Sequence, residues 1–429
     1  MHIDLNSCFA IIEQQANRLL RGRPVGVAAY DTPRGFVLAA SYQAKALGIK
    51  LGVTVGDARL LCPGIVIMAP DPAKYRAAHQ RFKRVLLAYT SNVRPKSIDE
   101  FVIDLAGSPM LRSGLAVEDV GYDIKESIYK GLGEAVTVNI GIGPNRFLAK
   151  LAAGLHKPNG LDKIDWRNLE ATYAGLDLLD LPGINVRYRR RLMMYGIKTP
   201  LDFLQADAHS LHKIVFKSIV GYYWYLRLRG WEIDSQDFVR RSVGHQYALS
   251  KHTSDKAELA RMLMKLCEKV GRRIRKSGWS AGGVRLYLDF AYAPPSDHGS
   301  SSFNGSSGFM GGDPLSSSRA WHQGQKLNYR LYSTSDIYRV AKRLLDQAII
   351  PGMVRGLSIT VFNFEVVEPD QLNLLTAIGE SNAADDRRLS QALDKINNRY
   401  GEFAVTPATM MNMKTEILDR IAFGAMTDL

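Results

Sequence analysis

The stretch Lys96-Ser97-Ile98-Asp99-Glu100-Phe101-Val102-Ile103-Asp104-Leu105 sets two adjacent carboxylates at the mouth of an apolar strand. Phe101, Ile103 and Leu105 alternate with Val102 and Asp104, the period of a half-buried strand entered from a turn. Successive side chains on a strand point to opposite faces. Asp99 and Glu100 therefore meet at one point only if the backbone bends there or something multivalent sits between them. A strand capped by solvated charges is the plainer reading of this stretch alone. The N-terminus shifts the balance, because Met1-His2-Ile3-Asp4-Leu5 is a second short apolar run broken by one carboxylate, suited to lie beside the first. Asp4, Asp99 and Glu100 then share one sheet edge, where like charges need cations to neutralise them. Oxygen ligands without cysteine or histidine favour Mg²⁺, with Mn²⁺ able to substitute. This is the ligand set of a two-metal phosphoryl-transfer site.

A chain of 429 residues is long enough for two to four domains. Its net charge of +14 points to a polyanionic partner, nucleic acid before membrane. The charge is uneven: residues 240–365 hold 19 Lys and Arg against 9 Asp and Glu, whereas residues 366–429 hold 6 against 10. Cys8, Cys62 and Cys267 are far apart in sequence and read as core thiols of a reducing compartment. No apolar run approaches membrane-spanning length, so a cytoplasmic protein without a membrane partner is expected.

A helix is expected from Ser7, carrying Phe9 next to the carboxylates, where the ring is either core packing or a wall of the substrate pocket. Two strands about the Asp31-Thr32-Pro33-Arg34 turn lead to a short helix with Ser41 as N-cap and Gly48 as its stop. Tyr42 and Lys45 share a face of that helix and suit a phosphate, or simply solvent. A basic amphipathic helix is expected from Tyr75 to Asn92, another from Gly121 to Leu132, a strand from Val136 to Gly143 and a helix from Asn145 to Ala153. Lys157 then stands beside the rigid Pro158-Asn159-Gly160 corner.

Asp4 with Phe9, Ser41-Tyr42 with Lys45, Ser97-Ile98-Asp99-Glu100, and Lys157-Pro158-Asn159-Gly160 occur in the order and at about the separations of the Y-family translesion DNA polymerases. The chain resembles that family over nearly its whole length, and its bacterial polymerase IV branch most. The resemblance implies an α+β, multidomain right-hand polymerase. Its parts are a palm (1–15 and 71–163), small fingers (16–70), a helical thumb with a helix-hairpin-helix (164–235), a βαββαβ little finger (240–365) and a C-terminal tail (366–429). It implies that Asp4, Asp99 and Glu100 hold two Mg²⁺ ions with help from the Leu5 carbonyl. It also makes Phe9 the steric gate against a ribose 2′-hydroxyl, and gives Tyr42, Lys45 and Lys157 the triphosphate. Primer–template DNA and a deoxynucleoside triphosphate (dNTP) are the implied partners of a monomer that works at the nucleoid. Three positions depart from the family pattern. Lys45 stands where many relatives have Arg, a point charge in place of a fork. Ala39 stands where many have a hydroxyl, and Asn6 where many have an acid.

Leu181-Pro182-Gly183-Ile184-Asn185 followed by a helix from Arg187 resembles a helix-hairpin-helix that aims backbone N–H groups at a DNA phosphate. Asn185 replaces the usual second glycine and is expected to accept its left-handed backbone. From Arg240 the order strand, helix, strand, strand, helix, strand matches the family's little finger, and Arg272, Arg273, Arg275 and Lys276 are expected on the DNA backbone. A solvated helix C-terminus also favours cations. Ser296 to Ser318, rich in Ser and Gly, is expected to be a mobile loop. Gln371-Leu372-Asn373-Leu374-Leu375 resembles the bacterial sliding-clamp peptide, with Leu375 in place of Phe, and a helix is expected from Asp386 to Tyr400. Two other functions fit less well. A catalytically idle DNA-binding scaffold in a mutasome has no need of three clustered carboxylates, and a nucleotide cyclase has no need of a duplex-binding surface.

Overall fold

The structure, a computed structural model, describes residues 1–235, 240–291, 320–367, 381–411 and 413. They fall into two compact units, the first within residues 1–237 and the second within 238–419. The 296–318 loop and the Gln371–Leu375 peptide lie outside the described residues.

The first unit runs β1 (His2–Leu5), α1 (Cys8–Ala16), β2 (Val25–Ala28), β3 (Val37–Ala40), α2 (Tyr42–Ala46), α3 (Val55–Leu61), β4 (Val66–Met68) and α4 (Pro72–Leu87). It continues through β5 (Val93–Pro95), β6 (Glu100–Ile103), α5 (Pro109–Arg112), α6 (Val117–Leu132), β7 (Val138–Ile142), α7 (Arg146–Leu155) and β8 (Leu161–Lys163). Four short helices follow: α8 (Leu169–Ala174), α9 (Val186–Met194), α10 (Pro200–Gln205) and α11 (Ile219–Leu228). The first strand is central in a five-stranded sheet of order β5-β6-β1-β7-β8, and β3-β2-β4 form a separate small sheet. Ile3, Phe101, Ile103 and Ile140 belong to one core with Phe82 and Ile124, from α4 and α6. Burying these side chains away from water is the main stabilising term, about 1.5–3 kcal/mol each.

The helix expected from Tyr75 to Asn92 instead runs Pro72–Leu87, since the Asp71 side chain caps it by accepting from the Lys74 N–H and Pro72 stands at its first turn. The α9 hairpin forms, but not as expected. Gly183 takes the left-handed backbone (φ +93°), whereas Asn185 is extended (φ −106°) and its Oδ1 accepts from the N–H groups of Arg187 and Tyr188 at 3.0 Å each. Asn185 is the N-cap of α9, so one left-handed residue suffices for this turn.

The second unit runs β9 (Ser242–Thr253), α12 (Lys256–Lys276), β10 (Trp279–Phe290), β11 (Ala320–Leu331), α13 (Thr334–Gln347), β12 (Val354–Val366) and α14 (Ser381–Tyr400). The strands form one antiparallel sheet of order β11-β10-β12-β9. Val284, Leu286 and Leu288 face Val361, Ile359 and Leu357 across the β10–β12 pair and are fully buried on the side where α12 and α13 pack. Among the described residues no helix is long and apolar enough to cross a membrane.

Candidate active site

Strand register brings the carboxylates together. Asp4 is the partner of Glu100 across the β1–β6 pair and of Asn139 across β1–β7, while His2 is the partner of Gly141. His2, Asp4, Glu100, Asn139 and Gly141 thus share the sheet face against which α7 packs. That packing is close. A Cβ built on Gly141 would lie 1.9 Å from the Ala149 carbonyl oxygen and 2.2 Å from the Ala153 nitrogen, so only glycine lets α7 rest on the strand backbone. Asp99 precedes β6 in the bend, where the Leu5 N–H donates to its carbonyl (2.9 Å) and fixes the end of β1 beside it.

One oxygen each from Asp4 and Glu100 lies within 4.8 Å of the other and of a His2 nitrogen. His2 stands beside them, since alternation along β1 turns it to the same face as Asp4. Its Nε2 is buried without a hydrogen-bond partner and stands 3.9 Å from Glu100 Oε1, too far for a hydrogen bond. An orphaned imidazole nitrogen beside two carboxylates fits a bound divalent cation. The Asp99 carboxylate accepts from Ser97 Oγ.

Each facing carboxylate already has a cation. Lys157 Nζ lies 2.7 Å from Asp4 Oδ2, and Lys150 Nζ lies 2.7 and 2.8 Å from the two Glu100 oxygens. Burial acts to raise the Glu100 carboxyl, but the neighbouring His2 and Lys150 outweigh it and bring it down to about 2. For Asp99 burial wins: despite the Ser97 hydroxyl, burial and the charges of Asp4 and Glu100 push its carboxyl up to about 6. The two carboxyls, adjacent in sequence, are thus driven in opposite directions.

Lys45 Nζ lies 4.6 Å from the centroid of the Tyr42 ring, and burial followed by the charge of Lys157 lowers its ammonium pKa. Tyr42 is pushed up to about 12 by burial and then by Asp4, and so stays a neutral hydrogen-bonding phenol. Its hydroxyl donates to Asn6 Oδ1 (3.2 Å), whose Nδ2 in turn donates to Thr137 Oγ1 (3.1 Å). The amide at position 6 therefore fixes the phenol. Phe9 is 1 % exposed and stacks on Tyr75 with ring centroids 4.3 Å apart and planes 9° off parallel. The Tyr75 hydroxyl donates to buried Glu13 (2.9 Å), which also pairs with Lys74. Sequence reasoning missed His2, Lys150 and Tyr75. Position along β1 and the seven-residue spacing from Lys150 to Lys157 were signals for the first two, but nothing local marked Tyr75.

In the second unit the basic end of α12 is engaged within the chain. Arg275 is buried and gives a bidentate pair to Asp394 of α14 (2.7 and 2.9 Å), and its guanidinium also reaches the Tyr332 carbonyl and Thr334. Arg272 donates to Asn398 (2.9 Å) and pairs with Glu402, and Arg273 donates to the Gly244 carbonyl (3.0 Å). Lys269 and Lys265, one and two turns earlier, are buried under Phe403. The acidic C-terminal segment thus occupies the basic side of α12, which sits on the helical layer of this unit. Lys276 alone of the four is exposed. The sheet face opposite α12 and α13 carries Arg285, Tyr287, His322 and Lys326, with His322 partnering Tyr287 and Lys326 partnering Gly283 in the β10–β11 register.

The sequence matches the impB/mucB/samB family over residues 3–154 and the C-terminal domain of the same family over residues 240–374. It is similar to the DNA polymerase IV of Pelotomaculum thermopropionicum, 32 % identical over 414 residues, covering 95 % of this chain and 94 % of that one. It is also similar to the DNA polymerase IV of Moorella thermoacetica, 31 % identical over 416 residues and 95 % of each chain. In fold it is similar to a Y-family DNA polymerase chimera of Dbh and Dpo4 (TM-score 0.68, 23 % identity, 85 % of this chain and 99 % of that one). An insertion ternary complex of Dbh DNA polymerase also matches (TM-score 0.52, 22 % identity, 85 % and 99 %). Carboxylates, lysines and fold point the same way: the chain belongs to the impB/mucB/samB family and is a Y-family translesion DNA polymerase of the polymerase IV type.

Proposed function

We propose that this DNA-directed DNA polymerase adds a deoxynucleotide to a primer 3′-hydroxyl at Asp4, Asp99 and Glu100. The observation that carries the proposal is the cross-strand meeting of Asp4 and Glu100 with two lysines and an orphaned histidine nitrogen around them. Asp4, Asp99 and the Leu5 carbonyl hold the cation that travels with the triphosphate, and Glu100 completes the ligand set on the primer side. When bound, two Mg²⁺ ions, or Mn²⁺ in their place, lower the pKa of the attacking hydroxyl and neutralise the leaving pyrophosphate. Lys157, Lys45 and the neutral Tyr42 phenol hold the β and γ phosphates. Phe9, held flat against Tyr75, bars a ribose 2′-hydroxyl.

The five-stranded sheet and its helices serve as the palm (1–15 and 71–163), the small sheet as the fingers (16–70), the helices of 164–235 as the thumb, and the second unit as the little finger (240–365). Gly183 and the α9 turn meet a DNA phosphate. The sheet face carrying Arg285 and Lys326, in place of Arg272, Arg273 and Arg275, meets the duplex backbone. Gln371, Leu372, Leu374 and Leu375 bind the sliding clamp, and the enzyme works as a monomer on chromosomal DNA in the cytoplasm. Single-nucleotide primer extension by Asp99→Ala and Glu100→Gln, with primer–template binding measured in parallel, tests the assignment. Loss of incorporation by at least roughly a hundredfold at unchanged DNA affinity is expected; incorporation at the wild-type rate contradicts it.

A further inference from the structure

Lys150 sits in the middle of α7, and its ammonium straddles both Glu100 oxygens at 2.7 and 2.8 Å. Seven residues later, just past the end of the same helix, Lys157 pairs with a single Asp4 oxygen, Oδ2, at 2.7 Å. The Lys150 side chain is 44 % exposed and the Glu100 side chain 18 % exposed, so the pair lies at the rim of the site with the lysine on the solvent side. Where α7 lies is not adjustable, because its backbone rests on the Gly141 backbone with no room for a Cβ. The lysine stem is flexible, and its head is a compact point charge without the fork that would lock it to a carboxylate.

Resting on the assignment of Glu100 as a metal ligand, we infer that Lys150 is a surrogate cation: it occupies Glu100 in the metal-free site and must be displaced before a divalent ion can use that carboxylate. The ammonium contacts both Glu100 oxygens, which leaves neither oxygen without a cation to share. Two like charges cannot occupy that position together, since a divalent ion on Glu100 would stand within about 4–5 Å of the ammonium. Lys150 is therefore a positioning residue. It keeps the Asp4–Glu100 pair from repelling while the metal is away, and it sets how much metal is needed to fill the site.

The test is direct Mn²⁺ binding, followed by the paramagnetic signal of the free ion, to the full chain without DNA or nucleotide. Wild type, Lys150→Met and Lys150→Arg are compared, together with the melting temperature of each with and without Mn²⁺. Lys150→Met, which keeps the aliphatic stem, is expected to bind Mn²⁺ about tenfold more tightly and to melt lower without metal but rise further on adding it. Lys150→Arg is expected to match or fall below wild-type affinity. Equal or weaker binding by Lys150→Met overturns the inference. So does a lower melting temperature with an unchanged Mn²⁺-induced rise, the mark of a merely structural ion pair. If Glu100→Gln leaves Mn²⁺ binding unchanged both in the wild-type background and in Lys150→Met, the metal-ligand assignment of Glu100 fails and the inference falls with it.

Discussion

Asp4 and Glu100 are direct partners in the antiparallel β1–β6 pair, so two carboxylates nearly a hundred residues apart project from the same face of one sheet. Opposed like charges destabilise a strand pair. Here Lys157 and Lys150 offset the repulsion from a helix held on that face by glycine.

Asp99 has its carboxyl raised to about 6 by burial and by its acidic neighbours. A carboxyl held above its unfolded value binds its proton more tightly in the folded state. Its contribution to the stability of the metal-free protein is therefore fully present below the ordinary carboxylate range and is lost as pH rises from about 4 to about 6, by about 3 kcal/mol. Asp99→Asn removes that penalty. It is expected to raise the melting temperature of the metal-free protein at pH 7 and to flatten its pH dependence between 4 and 6, while incorporation is lost. A variant less stable than wild type at pH 7 contradicts the account.

Tyr75 supports the proposed gate from behind. Tyr75→Ala leaves Phe9 in place but removes its stacking partner, and the cavity costs about 3–5 kcal/mol of stability. Competition between a ribonucleotide and its deoxy form is expected to shift toward the ribonucleotide in Tyr75→Ala and further in Phe9→Ala. Unchanged sugar selectivity in both would contradict the assignment of Phe9.

Arg275 and Asp394 make opposite demands from those of a DNA-contacting cluster. Breaking a buried pair by removing one partner costs about 3–5 kcal/mol, so Asp394→Ala is expected to lower the melting temperature. Because Arg275 is committed within the unit, Arg275→Met, itself destabilising, is expected to leave the salt dependence of DNA binding unchanged when measured well below its melting point. Arg285→Ala with Lys326→Ala is expected to reduce the slope of log affinity against log salt by about 1–2. The reverse result would restore the basic end of α12 as the DNA contact.

Much of the site was legible because local chemistry and tertiary role coincide at its motifs. Ser41 caps α2 through the Ala44 N–H, the carboxylates sit at strand ends, and Lys157 follows α7. A local window says less where a residue's surroundings depend on something distant. Arg272 and Arg275 are a basic helix end in any local window, and only the return of α14, more than a hundred residues later, turns them inward. Asn185 suits either a left-handed turn or an N-cap, and the dihedral angles decide for the cap. Lys150 reads as one polar residue on an amphipathic helix until register places Glu100 opposite it.

The central claim is that Asp4, Asp99 and Glu100 form the catalytic centre of a polymerase that copies damaged templates. Its most direct test is primer extension with Mg²⁺ on an undamaged template and on one with an abasic site, wild type beside Asp99→Ala. The account predicts extension on both templates, past the lesion, by wild type only. Extension by Asp99→Ala, or failure of wild type on both templates despite tight DNA binding, would contradict it.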